Sequence, residues 1–292
     1  MSSLQSLIDE LEQDRSLDEP HRLRERVDAL DRLDAHQLDG PLPPSTGESM
    51  EAETHRRARA LCDKLEAVNF RLYKTIREEI QRGSRPDRLL QHVPKSGETS
   101  GPESLASGEG YDYLDELVSG VLNFERPDDL RVQLAAEMVA YQPTPARHIF
   151  DLISRAAITE RDVLVDLGSG LGHVPLLVSI CTGARCTGIE LEAAYVDCAR
   201  RSAEALHLNN VAFFRQDARA ADLSGGTVFY LYTPFTGSIL REMLVSLRRE
   251  ADSRELRICT FGPCTPTIAQ EPWLEASRAE RVDQTAVFRS RK

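Results

Sequence analysis

The chain has 292 residues, 41% of them hydrophobic, which is enough for one large domain or for a domain with a sizeable appendage. Its formal charge of −11 argues against a general nucleic-acid binder, and no apolar run approaches the ~20 residues that a membrane helix needs. Six cysteines without a C-x-x-C pair, and with no histidine at ligand spacing, read as reduced thiols of a cytoplasmic protein and suggest no metal site.

In chain order, the opening "MSSLQSLIDELEQD" is acidic and amphipathic, unlike a secretory or organellar leader. Leu4, Leu7, Ile8 and Leu11 recur at helical spacing, as do Leu23, Val27 and Leu30. Residues 39–49, with three prolines and two glycines, read as a linker. A long amphipathic helix follows from about Glu51 to Gln81, with Leu61, Leu65, Val68, Leu72, Ile76 and Ile80 on one stripe. Charge is uneven here: residues 1–54 hold fourteen acids and five basic residues, and residues 55–90 hold ten basic residues and five acids. That asymmetry suits docking between the two segments or onto an acidic partner, although one solvated helix face explains it too. Residues 95–110 form a second loose stretch, and residues 111–124 return to helical patterning. Residues 1–136 are therefore expected to be a helical N-terminal region.

From Asp162 the texture changes to strand–helix alternation. β-rich runs fall at 163–167, 185–190, 211–215, 227–232 and 256–261, with helical stretches near 172–181, 193–207 and 236–250. A final run at 285–289 suits an antiparallel strand. The alternation predicts an α/β domain over residues 137–292: a doubly wound, mostly parallel sheet covered by helices on both faces.

The run "DLGSGLG", Asp166 to Gly172, follows the first of these strands and opens a helix. Gly168 and Gly170, around Ser169, would let the chain turn sharply and leave room for a ligand against bare backbone. Gly172 would let the helix start close to the strand, and the helix N-terminus would offer N–H groups to an anion. A bare glycine pattern is shared by dinucleotide and S-adenosylmethionine (SAM) binders, but the acids beside it separate them. Asp166 would repel a diphosphate and attract the ammonium and sulfonium centres of SAM. Glu190 ends the second strand, where a carboxylate can accept from two ribose hydroxyls. Asp217, just past the third strand, is within reach of an adenine amino group.

These residues resemble the class I, seven-strand SAM-dependent methyltransferases over about residues 137–292. "YQPTPARHIFDLI", residues 141–153, looks like the segment before the first strand in the non-SET protein-lysine methyltransferases of the histone H3 lysine-79 type. The resemblance implies that Tyr141 and Thr144 fold over the methionine end of SAM. It also implies that Asp166, Gly168, Gly170 and Gly172 form the glycine motif, that Glu190 holds the ribose, and that Asp217 and Ala218 contact adenine. The departure is at the fourth strand, where "LYTPFTG" replaces the Asn/Asp-Pro-Pro-aromatic pattern of many nitrogen methyltransferases. Tyr232 and Phe235 are candidates for walls of an acceptor channel, and Thr233 for a hydrogen-bond contact.

Each position also has an ordinary reading. Glu190 could cap the following helix, Asp217 could be a turn residue, and Thr144 could cap the helix that Pro145 begins. His173 reads as a packing or capping side chain, and Tyr230 as a sheet residue. The expected activity is methyl transfer to a protein side-chain amine, with the N-terminal helices over the cofactor mouth. A small-molecule acceptor is the second possibility, and a SAM-binding protein that transfers nothing the third. Neither a membrane nor nucleic acid is expected as a partner.

Overall fold

The structure, a computed structural model, describes residues 3–36, 50–94, 110–124, 138–139, 141–277 and 282–291. The linkers read at 39–49 and 95–110 lie outside the described residues, Gly110 excepted. The chain divides into two compact units: Met1–Glu78 with Asp87–Val121, and Glu79–Pro86 with Leu122–Lys292.

The first unit is helical. It contains α1 (Ser3–Gln13), a 3-10 turn at Arg15–Asp18, α2 (Leu23–Asp34), most of α3 (Met50–Gln81), α4 (Asp87–Leu90) and most of α5 (Tyr113–Leu122). Burial follows the sequence periodicity: Leu4, Leu7, Ile8 and Leu11 of α1 join Ala29 and Leu33 of α2 and Leu61 and Leu65 of α3 in one core. The acidic and basic segments do dock on each other. Arg57 of α3 pairs with Asp9 at 2.7 Å and Glu12 at 2.6 Å, and Lys64 pairs with Asp18 at 2.8 Å. Solvent screens such exposed pairs, so they orient α3 more than they stabilise it. A deeper tie is Arg26, fully buried, whose guanidinium donates to the Leu17, Glu19 and Pro20 carbonyls and to Asn69 Oδ1.

The second unit is built on a seven-stranded sheet with order β3-β2-β1-β4-β5-β7-β6. Its strands are β1 (Val163–Leu167), β2 (Arg185–Glu190), β3 (Val211–Arg215), β4 (Val228–Leu231), β5 (Arg257–Thr260), β6 (Leu274–Ala276) and β7 (Ala286–Ser290). The first five are parallel, and β7 runs antiparallel to both β5 and β6. Helices α6 (Ala146–Arg155), α7 (His173–Thr182), α8 (Ala193–Ala205), α9 (Gly237–Ala251) and α10 (Thr265–Ala269) complete it. Residues Val174–Ile180 of α7 are all buried, and Pro175 is tolerated because it falls in the helix's first turn, where its missing N–H has no partner to lose. The order 3-2-1-4-5 reverses direction between β1 and β4, and in open α/β sheets the ligand crevice lies outside the strand ends at such a reversal.

One strand, β6, is absent from the sequence reading. β6 has three residues, too few to show a period. The β3–β4 crossover carries only a 3-10 turn at Ala218–Ala220, where a helix would ordinarily cover the sheet, so Phe214 of β3 is left 48% exposed. All six cysteines are free, and Cys186, Cys198, Cys259 and Cys264 are buried.

Candidate functional site

A cavity of about 650 Å³ opens at the carboxyl ends of β1, β2 and β4, within the second unit. Of the residues expected from the sequence, Tyr141, Thr144, Asp166, Gly168, Ser169 and Glu190 line it. Asp217, Ala218, Tyr232, Thr233 and Phe235 line it as well. Gly170 and Gly172 are not among its walls.

The glycine turn works differently from the expectation. Gly168 and Ser169 N–H groups both donate to the Ile189 carbonyl, Gly170 N–H donates to Glu190 Oε2 at 2.9 Å, and Gly172 N–H donates to the Ser169 carbonyl. These four donors are satisfied within the chain, so the turn does not offer them to an anion. The room that the glycines leave is also taken by protein. Gly170 has φ +52°, and a Cβ there would fall 1.9 Å from Tyr141 Cε2; a Cβ on Gly168 would fall 2.3 Å from Pro234 Cβ. Gly172 has φ +86°, and a Cβ there would meet the Phe213 ring at 2.6 Å. The third glycine does let α7 start close to the sheet, as expected. The first two admit Pro234 and the Tyr141 ring, and a ligand meets those side chains beside the turn.

Asp166 is the penultimate residue of β1, two before Gly168, and is 3% exposed. Burial, and then the neighbouring Glu190, push its carboxyl well above the usual carboxylate range. It forms no ion pair among the described residues. A cationic group entering the cavity would favour the charged form of this carboxyl, for which the described residues supply no cationic partner. Ser169 Oγ, buried without a hydrogen-bond partner, is a second unsatisfied polar atom in the cavity's wall.

Glu190 Oε1 accepts from the Leu191 and Glu192 N–H groups at 2.7 and 2.9 Å, in addition to the Gly170 N–H on Oε2. Three of the roughly four acceptor positions of the carboxylate are thus used, which leaves room for one ribose hydroxyl where two were expected. Asp217 caps the 3-10 turn by accepting from Arg219 N–H, and the Arg219 guanidinium grips both its oxygens. Those hydrogen bonds hold the Asp217 carboxyl below its ordinary range. Both the turn role and the wall role therefore belong to this residue, and its acceptor positions are filled.

Thr144 does not cap α6. Its hydroxyl lies 3.1 Å from the Tyr230 hydroxyl, both buried, and α6 begins after Pro145 with no side-chain cap. Tyr230 stands in register beside Asp166 on the same sheet face, which strand pairing reveals and the linear sequence does not. Thr233 has φ +41°, an uncommon conformation for a β-branched residue. Its hydroxyl donates to the Phe261 carbonyl and accepts from Cys264 N–H, so it ties the β4 loop to the β5 loop. Phe235 bridges to Met138, and Val139 N–H donates to the Pro234 carbonyl, fixing residues 138 and 139 beside the end of β4. Tyr232 packs its ring 4.8 Å from Phe261.

The cavity also includes Tyr195, Gln216, Arg219, Tyr230 and His173, none of them among the sequence candidates. His173, set aside as a packing residue, lies 3.1 Å from the Tyr141 hydroxyl through Nδ1. Its place directly after the third glycine was the available signal.

These residues fit SAM. Unpaired Asp166 suits the donor's ammonium, Glu190 retains an acceptor for its ribose, and the self-satisfied turn gives a diphosphate no cradle. The family described as "Histone methylation protein DOT1" matches residues 125–228. No curated protein matches the chain. Similar solved structures include an RNA methyltransferase from Salinibacter ruber in complex with S-adenosylhomocysteine, at 27% identity and a TM-score of 0.43 over 51% of this chain and 92% of that one. A precorrin-6y C5,15-methyltransferase from Geobacter metallireducens aligns at 16% identity and a TM-score of 0.40, over 56% of this chain and 96% of that one. A magnesium protoporphyrin IX methyltransferase from Synechocystis with bound SAM aligns at 15% identity and a TM-score of 0.37, over 49% of this chain and 74% of that one. With its doubly wound sheet, its acid-lined cavity at the β1–β4 reversal and its central match, the chain is a class I SAM-dependent methyltransferase that resembles the DOT1 histone-methylation family.

Proposed function

We propose that the protein transfers a methyl group to an amine nitrogen, and that the amine is a lysine side chain of another protein. The observation that carries this reading is the charge of the cavity: Asp166, Glu190, Glu192 and Asp217 line it, and Arg219 is the only Lys or Arg among its lining residues. Such a lining draws in a cationic donor and a protonated amine, and it repels phosphate-rich acceptors. The match to a histone-methylation family over residues 125–228 supports the same class of acceptor.

SAM, when bound, supplies an electrophilic methyl on a sulfonium. The chain's own residues hold and align. Asp166 pairs with the donor's ammonium, Glu190 takes a ribose hydroxyl, and Ala218 with the Asp217–Arg219 pair walls the base. Tyr141 and Thr144 cover the amino-acid end. Tyr232 and Phe235 exclude water from the approach of the acceptor, where alignment and desolvation supply most of the acceleration for a neutral amine. Thr233 keeps that wall in place through its two loop hydrogen bonds.

We take residues 137–292 as the catalytic domain and residues 1–136 as a helical region appended to it. Six free cysteines suit a reducing compartment, which we take to be the cytoplasm.

The test is to incubate the purified chain with lysate and SAM carrying a radiolabelled methyl group. Label in a protein band that releases methyl-lysine on hydrolysis is the expected result. Label confined to low-mass solutes would replace the protein acceptor with a small molecule. Binding of S-adenosylhomocysteine without label in any fraction would make the chain a non-catalytic binder.

A further inference from the structure

We infer that His173 is a positioning residue, which sets the cofactor wall by holding Tyr141 flat over the glycine turn; this rests on the SAM reading above. Four observations meet at this pair. The Tyr141 hydroxyl and His173 Nδ1 are 3.1 Å apart. The Tyr141 ring occupies the space over Gly170 that a Cβ would fill. The His173 ring is itself clamped by Phe124, with centroids 4.5 Å apart, and the Tyr141 ring rests against Tyr195 at 4.9 Å. Tyr141, Tyr195 and His173 all line the cavity.

The chain geometry explains why a histidine at this position reaches Tyr141. Gly172 is the left-handed residue before α7, so His173 begins the helix at the mouth of the turn. Its short, planar side chain brings Nδ1 to the phenol, and packing against Phe124 restricts rotation of the imidazole. Without this contact, Tyr141 would lose its tie to the start of α7, next to a glycine that imposes no side-chain barrier. The ring would then sample other rotamers, and the cavity wall would be only partly formed when the cofactor arrives. The contact also survives a change in the charge of the imidazole. Neutral Nδ1 accepts the phenol proton, and protonated Nδ1 donates to the phenol oxygen.

The role predicts coupling between two side chains, and that is what separates it from ordinary packing. In calorimetric titrations of the full chain with S-adenosylhomocysteine, His173→Leu and Tyr141→Phe should each raise the dissociation constant about tenfold, consistent with losing one hydrogen bond. The double variant should be no worse than either single, because both remove the same contact. His173→Asn places Oδ1 near the position of Nδ1 and should restore affinity to within about threefold of wild type; if His173→Leu fails to fold, this variant and Tyr141→Phe still decide the matter. Melting temperatures measured alongside should move little. Single effects that add in the double variant, or His173→Asn as weak as His173→Leu, would overturn the inference while leaving the SAM reading intact. Failure of the wild-type chain to bind S-adenosylhomocysteine would overturn both.

Discussion

Glu190 is held by three backbone N–H groups, one of them from the glycine turn, so it does more than contact a ligand. Replacing it with Ala removes the proposed ribose partner and also leaves the Gly170 N–H without its acceptor. SAM affinity should fall by about 1–3 kcal/mol, and titration of S-adenosylhomocysteine checks this. Glu190→Gln should be nearly as weak, since an amide nitrogen would face N–H donors. Gly170 shows how a site residue can be legible for a partly mistaken reason. The motif singles it out for ligand space, yet the space beside its bare backbone holds the Tyr141 ring. Even Gly170→Ala should therefore weaken binding by displacing Tyr141, and a crystal of that variant should show the ring moved. Asp166 and Glu190 were readable because strand-end acids beside a glycine turn form a local pattern. His173, Tyr195 and Tyr230 were not, because their proximity depends on which strands and helices become neighbours.

At the scale of elements, periodicity identified β1 to β5, β7 and the main helices, with ends shifted by one or two residues where caps and turns decide the last bond. It missed β6, whose three residues gain their strand geometry from pairing with β7. The helix-free β3–β4 crossover agrees with the sequence, because "QDARAADLSGGT" has turn formers but no apolar period with which to build a helix. The least legible tie is Arg26 in α2. A charged residue on a helix reads as surface, yet this one organises three carbonyls and Asn69 in the interior of the first unit. Arg26→Ala should leave those acceptors buried and unpaired, at roughly 1–3 kcal/mol for each unmet group. Urea denaturation should then show an early transition carrying a loss of helical signal, with the sheet unit melting later.

Across the whole molecule, acid should act through its histidines. Burial, and then the adjacent Arg147, lower His148 to about 4, and its ring stacks 4.2 Å from Phe261 beneath the sheet. Burial lowers His92 in the first unit as well. An unfolded histidine takes up its proton near pH 6.5, whereas folded His148 waits until about pH 4. Stability should thus fall as the pH drops from about 6.5 towards 4, by up to about 3 kcal/mol for His148 alone, and His148→Phe should flatten that slope in denaturation series. The burial of the thiols has a practical consequence. Burial pushes Cys62 up to about 11 and both Cys181 and Cys259 up to about 12, and it raises Cys186 and Cys264 too. Maleimide dyes react with thiolate, so a cysteine engineered at an exposed position such as Val245 of α9 would outcompete all of these native ones. A single fluorophore could then be attached to the second unit without first stripping these five sulfhydryls from the sequence.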